Sequence, residues 1–178
     1  MRVESGWPAG VDGGRLGMRT GRSNRASHHA AVARYSRRMA EPFAPEALQA
    51  IQERTVLGPL GIEVEEIGPD RVVLSLEVGP RVHQPYGFLH GGVSALMSET
   101  CASMGAWLAA GADHEAFGVE INANHLRPVR EGRVVATGTP IRQGRTIAVW
   151  DTRVEDEQGR LVCVSRCTVA LRRVGTIS

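Results

Sequence analysis

The sequence has no lysine, few aromatic residues and no long apolar run. All 21 basic residues are arginine, and phenylalanine, tryptophan and tyrosine together make up 4% of the 178 residues. A membrane-spanning helix needs roughly 18 to 20 apolar residues in succession, so the sequence predicts none, and we expect no membrane partner. A chain of 178 residues is instead long enough for one domain with a full hydrophobic core.

Cysteine is also scarce, and the positions of the cysteines exclude two classes of small protein. Cys101, Cys163 and Cys167 are odd in number and include no Cys-x-x-Cys pair. Neither a disulfide framework nor a zinc ribbon is therefore indicated, and a reducing, cytoplasmic environment fits best. His90 and Glu99 lack the spacing of a His-Glu-x-x-His motif or of a three-ligand cluster, so we expect no metal site.

Charge is divided unevenly between the N-terminal segment and the rest of the chain. Residues 1–38 carry eight arginines against two acidic residues, a net charge of +6, which leaves 13 − 17 = −4 for residues 39–178. This mildly acidic balance argues against a nucleic-acid partner. Residues 1–38 are rich in Gly, Ser and Arg, so we predict a disordered basic extension, which is either a targeting or binding arm or dispensable. The folded domain is expected to span 39–178, and Met39 is a candidate start.

Six segments predict β-strands because they alternate or carry β-branched runs between turn residues. A short helix is predicted within 41–55, ahead of the first of these segments. Turns with Gly or Pro-Asp between consecutive segments favour an antiparallel meander. Within 118–126, Val119, Ile121 and Ala123 are expected to face one side of the sheet. The six strand segments are 62–68, 71–79, 117–129, 132–144, 145–159 and 160–173.

One long helix is predicted over 91–110, and it has no broad polar face. Such a helix is expected to be buried on all sides. Together with five or six antiparallel strands it predicts an α+β fold in which the sheet wraps around one long central helix. Glu99 lies in the middle of this helix, and a carboxylate is almost never buried without a partner.

The start of this helix is a candidate site for polar chemistry. Gly91 and Gly92 open the helix, so free N–H groups and the positive end of the helix dipole face whatever precedes them. Gln84 and His90 add an amide donor and an imidazole close by. The alternative is that the two glycines only permit tight packing at a helix start.

Glu99 and Ser103 are four residues apart and so share one face of the helix. The alternative for Glu99 is a structural ion pair with an arginine. Gly91 and Glu99 are eight residues apart, which is roughly 12 Å along a helix axis. A donor and a base must both approach one reacting carbon to about 3 Å, so one helix cannot supply both. Two antiparallel helices related by a two-fold axis satisfy this requirement, and we predict an obligate homodimer with shared active sites.

Three segments resemble the hotdog-fold acyl-CoA thioesterases, and within them the bacterial branch of 1,4-dihydroxy-2-naphthoyl-CoA hydrolase and the enterobactin proofreading thioesterase. The resemblance covers most of 83–171, and this chain departs from it in its long basic N-terminus and in Tyr86. It implies a hotdog fold, an acyl-CoA substrate whose CoA is not a separate cofactor, and a dimer of dimers. The segments are "HQPYGFLHGGVSALMSETCASM", "GVEINANHLRPVREGRV" and "DEQGRLVCVSRCTVAL".

The resemblance also implies a role for each site residue. Glu99 is the catalytic carboxylate, acting as nucleophile or as base on water. Gly91 and Gln84 hold the thioester carbonyl, and His90 supports the thioester and its leaving group. The remaining assignments are Ser103 for positioning water, Met104 for lining the acyl pocket, and His125 and Arg127 for contacting the nucleotide end of CoA.

Several functions remain open on the sequence alone. The leading substrate is the 1,4-dihydroxy-2-naphthoyl ester of menaquinone biosynthesis. A general phenylacetyl- or hydroxybenzoyl-CoA thioesterase is the second enzymatic hypothesis, and a dehydratase of the same fold is a third. A non-catalytic acyl-CoA-binding protein is the alternative from another class, and the set of Gln84, His90, Glu99 and Ser103 argues against it.

Overall fold

The computed structural model describes residues 51–175. The predicted extension over 1–38, Met39 and most of the predicted helix over 41–55 lie outside these residues, although residues 51–54 are helical. The helices are α1 (Leu57–Leu60) and α2 (Gly91–Ala110), with a short 3-10 turn at Pro80–Val82. The strands are β1 (Ile62–Ile67), β2 (Val72–Val78), β3 (His114–His125), β4 (Gly132–Gln143), β5 (Ile147–Asp156) and β6 (Leu161–Arg173).

The strands form one antiparallel sheet in the order β1-β2-β4-β5-β6-β3. The predicted α+β class and the predicted strands are confirmed. The prediction of a simple meander is wrong for one strand, because β3 lies at the far edge beside β6 rather than between β2 and β4. Helix α2 connects β2 to β3 and packs across the sheet, so the chain reaches β3 on the opposite side.

Small residues bring the helix and the sheet into close contact. A side chain at Gly105 would meet the ring of Trp150 at 2.0 Å, and one at Gly138 would meet the Cβ of Cys101 at 2.7 Å. Trp150 and Cys101 are themselves fully buried in the core. The glycines of the helix and of β4 therefore set the distance at which α2 packs on the sheet.

Within residues 51–175, helix α2 is buried on one side only. Its buried residues follow the side that faces the sheet, whereas Glu99 is exposed and Leu96 and Trp107 are only partly buried. The expectation of burial on all sides is therefore wrong for the part of the chain that the structure describes, because the sheet covers only one side of the helix there. The absence of a polar face leaves an apolar surface there. The buried residues are Ser94, Met97, Ser98, Cys101, Ala102, Gly105 and Ala106.

Strand β3 contains a bulge that changes the expected pattern of its side chains. The register against β6 shifts between Gly118 and Glu120, and Val119 is 58% exposed. Ile121 and Ala123 pack against the core, as the alternation predicts. Val119 does not share their side, because the extra residue in the bulge breaks the two-residue period.

Candidate functional site

His90 is the cap at the N-terminus of α2. Its backbone is extended, and its Nδ1 accepts a hydrogen bond from the N–H of Gly92 at 2.9 Å. Its own N–H donates to the carbonyl of Val82 at 2.9 Å, and its carbonyl accepts the N–H of Val93 at 2.9 Å. Because Nδ1 accepts this hydrogen bond, the ring proton of the neutral imidazole lies on Nε2.

Gly91 is the first residue of α2, and the structure records no partner for its N–H among residues 51–175. The ring of His125, from the end of β3, lies directly against it: a Cβ at Gly91 would be 2.7 Å from Nε2 of His125. The sequence predicts a free N–H donor at this position, and the structure shows that the imidazole of His125 lies beside it. Such an N–H at a helix start is suited to an oxygen that gains negative charge.

Gln84 lies in a tight loop that precedes the helix. Its side-chain Oε1 accepts the N–H of Tyr86 at 2.5 Å, and its backbone N–H donates to the carbonyl of Phe88 at 2.8 Å. The N–H of Leu89 donates to the carbonyl of Val129 at 2.7 Å, which holds the loop against the segment after β3. With Oε1 occupied, the amide NH₂ of Gln84 is the part that is available to donate.

A cavity of about 300 Å³ lies beside Gln84 and Gly91. Four predicted site residues line it, namely Gln84, Gly91, His125 and Arg127. Most of the other lining side chains are apolar. The cavity is therefore a largely apolar pocket with hydrogen-bond donors at one wall. The remaining lining residues are Phe88, Leu89, Ser94, Leu126, Pro128 and Val162.

The other four predicted site residues, His90, Glu99, Ser103 and Met104, do not line this cavity. The carboxylate of Glu99 lies against Gly118 of β3, whereas Gly91 lies against His125 at the end of the same strand. Gly118 and His125 are seven positions apart along β3, and Gly91 and Glu99 are roughly 12 Å apart along the axis of α2. Ser103 is partly buried, and Met104 packs at the edge of the core. One chain therefore keeps the donor and the carboxylate apart, as the helix arithmetic predicts.

The three cysteines are buried free thiols and are poor candidates for a nucleophile. Burial raises the pKa of Cys101 to about 12. Burial, together with the carboxylates of Glu99 and Glu120, raises the pKa of Cys167 to about 11. Burial also raises the pKa of Cys163. Thiolate, the reactive form, is thus disfavoured at all three positions at neutral pH.

A larger open cavity of about 930 Å³ lies at the other end of α2. Arg145, Arg172 and Arg173 line it, and it contains none of the predicted site residues. Within residues 51–175 no group of three or more His, Cys, Asp or Glu side chains is arranged to hold a metal ion. No helix in that range is both long and apolar enough to cross a membrane.

Sequence reasoning missed four residues that contact a predicted site residue or line the smaller cavity. Gly118 accommodates the carboxylate of Glu99, and Ser94, Phe88 and Leu126 line the smaller cavity. An isolated glycine inside a strand pattern is a known indication of a bulge or a close contact, and Gly118 carries that signal. No comparable signal marks the other three, because their position depends on how the loop and the strand end meet.

An antiparallel sheet packed against one long helix, with a free N–H donor at the helix start, defines the hotdog class of protein. A family model of the thioesterase superfamily matches residues 86–163. A thioesterase structure from Haemophilus influenzae is similar with a TM-score of 0.71 at 40% identity, covering 75% of this chain and 94% of that one.

Two similar proteins are both named for one substrate. A 1,4-dihydroxy-2-naphthoyl-CoA hydrolase from Listeria monocytogenes is 44% identical over 114 residues, 64% of this chain and 93% of that protein. One from Escherichia coli is 41% identical over 126 residues, 71% of this chain and 93% of that protein. The chain belongs to the thioesterase superfamily and is an acyl-CoA thioesterase.

Proposed function

We propose that the protein hydrolyses aromatic acyl-CoA thioesters, with 1,4-dihydroxy-2-naphthoyl-CoA of menaquinone biosynthesis as the leading substrate. The observation that carries the proposal is the free N–H of Gly91 at the wall of an apolar cavity, beside Gln84 and His125. The names of the relatives from Listeria monocytogenes and Escherichia coli support the choice of acyl group. Three buried free cysteines support a reducing, cytoplasmic location.

The active unit in this proposal is a homodimer. β3 is an edge strand of 12 residues, with Phe117 48% and Val119 58% exposed, so its outer edge is open for pairing. If two β3 strands pair antiparallel with the partner's Gly118 near His125, the partner's Glu99 approaches Gly91. The two-fold axis then lies near Ile121, about midway between the two contacts.

Two such dimers are proposed to associate as a dimer of dimers. Ile141 and Ile147, at the ends of β4 and β5, are 53% and 42% exposed. Exposed apolar side chains on these two neighbouring strands support a second contact surface on the sheet. Light scattering of the purified protein measures this directly, with four copies expected.

The proposed reaction converts the thioester and one water into a carboxylic acid and free CoA. The carbonyl oxygen accepts hydrogen bonds from the N–H of Gly91 and the amide of Gln84, and these donors stabilise the developing oxyanion. The partner's Glu99 either takes a proton from a water that attacks the carbonyl carbon or attacks that carbon itself. The C–S bond then breaks, and the thiolate leaves beside His90, whose Nε2–H is available to donate. When Glu99 is the nucleophile, this step leaves a mixed anhydride, which water hydrolyses to release the acid and restore the carboxylate.

The other predicted residues hold the substrate and the water. The partner's Ser103 lies one turn beyond the partner's Glu99 and is proposed to position the water, and the partner's Met104 is proposed to line the acyl pocket that the dimer completes. Arg127 is exposed, and no ion pair engages its guanidinium among the described residues, so it is suited to the CoA phosphates. His125 is proposed to contact CoA nearer the thioester than the nucleotide, because its ring lies against Gly91.

A thiol-release assay tests the substrate class. The panel contains 1,4-dihydroxy-2-naphthoyl-, hydroxybenzoyl-, phenylacetyl-, short-chain and long-chain CoA esters, with a thiol-reactive dye. The buried cysteines with raised pKa react slowly, so the dye reports released CoA. We expect kcat/KM for the dihydroxynaphthoyl ester to exceed kcat/KM for the aliphatic esters by at least about a hundredfold. Highest activity on phenylacetyl- or hydroxybenzoyl-CoA supports the general thioesterase instead. Release of thiol from no ester supports the non-catalytic acyl-CoA-binding protein.

A further inference from the structure

The space beside Gly118 is filled by the carboxylate of Glu99. A Cβ built on Gly118 would lie 2.3 Å from Oε1, 2.8 Å from Cδ and 3.0 Å from Cγ of Glu99. Any side chain at this position must therefore displace the carboxylate. The atoms that must move belong to the end of a flexible side chain, so the fold itself tolerates the change.

The backbone at Gly118 does not require glycine. Its φ is not among the positive values recorded for other glycines, such as Gly61 or Gly87. Gly118 pairs with Val169, a fully buried residue, and so lies on the side of the sheet that faces the helix. The missing side chain is thus explained by the space that it leaves and not by backbone conformation.

The bulge in β3 begins at the same residue. The register shifts between Gly118 and Glu120, and bulges reorient side chains and occur next to active sites. A similar contact exists at the start of the helix, where a Cβ at Gly91 would meet Nε2 of His125 at 2.7 Å. Helix and strand each contribute one glycine that receives an ionisable side chain of the other element.

We propose that Gly118 is a positioning residue for the reaction, because the space beside it fixes the carboxylate of Glu99. This inference rests on the role of Glu99 in the proposed function. A glutamate side chain has three rotatable bonds, and a displacement of about 1 Å at a reacting group lowers rates by about a hundredfold. Gly118 keeps the carboxylate in one place without contacting the substrate.

The test is Gly118→Ala, with Gly79→Ala as the matched control. Gly79 has extended backbone and no atom within 4 Å of a built Cβ, so alanine fits there. We expect Gly118→Ala to lower kcat by about a hundredfold with KM changed less than about threefold. Gly79→Ala retains wild-type kcat. Light scattering and circular dichroism confirm that both variants keep the assembly and fold of the wild type.

A double-mutant cycle with Glu99→Asp separates positioning from general damage. Aspartate is one methylene shorter, so its carboxylate no longer occupies the space of an alanine Cβ at position 118. We expect Glu99→Asp to cost less in the Gly118→Ala background than in the wild type, a non-additive result. Wild-type kcat for Gly118→Ala, or losses that simply multiply, would overturn the proposal.

Nuclear magnetic resonance of the Glu99 carboxyl carbon provides a readout that does not need turnover. We expect its chemical shift at one fixed pH to change in Gly118→Ala and to stay at the wild-type value in Gly79→Ala. An unchanged chemical shift in Gly118→Ala contradicts the positioning role. If the wild type hydrolyses no ester, the proposed function fails, and this chemical shift still decides whether Gly118 fixes the carboxylate.

Discussion

At the scale of single residues, the donor at Gly91 belongs to the backbone, and only proline removes it. Proline is tolerated at the first position of a helix, and the extended conformation of His90 suits the residue before a proline. We expect Gly91→Pro to lower kcat by about 10² to 10³, the effect of losing one oxyanion donor. Steady-state hydrolysis of the preferred CoA ester measures it.

Gly91→Ala is the matched control for this change. Alanine introduces the same Cβ near His125 but keeps the N–H. The difference between the alanine and proline variants therefore isolates the donor from the steric effect. Equal losses in the two variants would show that crowding of His125, and not the hydrogen bond, causes the defect.

Glu99 is the residue whose charge the reaction is proposed to use. Its side chain is exposed in the single chain, so replacing it removes no core contact. We expect Glu99→Gln to keep the assembly and the thermal stability of the wild type while kcat falls by at least about 10³. Glu131→Gln, an exposed change in the loop before β4, serves as the control. Wild-type turnover by Glu99→Gln would remove the carboxylate from the mechanism.

At the scale of elements, the close contact of α2 with β5 limits the size of the side chain that the helix can hold at position 105. Alanine in place of Gly105 favours the helix by about 1 kcal/mol, but its Cβ would meet Trp150 at 2.0 Å. We expect a net loss of about 1 to 3 kcal/mol in the free energy of unfolding, because the overpacked ring has no space to move. Denaturant unfolding at fixed protein concentration measures this loss.

The same contact predicts coupling between the two residues. Trp150→Phe removes most of the ring atoms that alanine at position 105 would strike. Gly105→Ala should then cost less in the Trp150→Phe background than in the wild type. Additive losses would place the strain elsewhere in the helix.

The elements show which parts of the fold are encoded locally. Alternation and turn residues predict the strands, since both act over a few residues. The edge position of β3 is not predictable in this way, because it depends on where the helix returns the chain to the sheet. The exposure of Val119 follows from the bulge. The alternating pattern does not reveal the bulge, although a glycine inside a strand, Gly118, is an indication of one.

The candidate site was predictable to a similar extent. Helix periodicity shows that Gly91 and Glu99 are too far apart to reach one reacting carbon, and the structure places Glu99 against Gly118 within β3 and Gly91 against His125 at its end. The contact between His125 and Gly91 was not predictable, because it joins residues 34 positions apart in the sequence. Contacts across that distance are set by tertiary packing.

At the scale of the whole molecule, the proposed function makes the single chain hold two halves of a site. The half with Gln84 and Gly91 has donors without a carboxylate, and the half with Glu99 has a carboxylate without the donors. The open edge of β3 and the uncovered apolar side of α2 lie between them. In the proposed homodimer, a two-fold axis at this edge completes two identical sites at once.

Heterodimers with differently tagged subunits test this central claim most directly. One subunit carries Glu99→Gln and the other Gly91→Pro, and tandem affinity purification isolates the mixed species. Shared sites predict about half of the wild-type kcat, because one of two sites is intact. The reciprocal heterodimer, a wild-type subunit with one carrying both changes, is predicted to be nearly inactive. The opposite pattern, an inactive mixed dimer and a half-active reciprocal dimer, would show that each chain holds a complete site and would contradict the account.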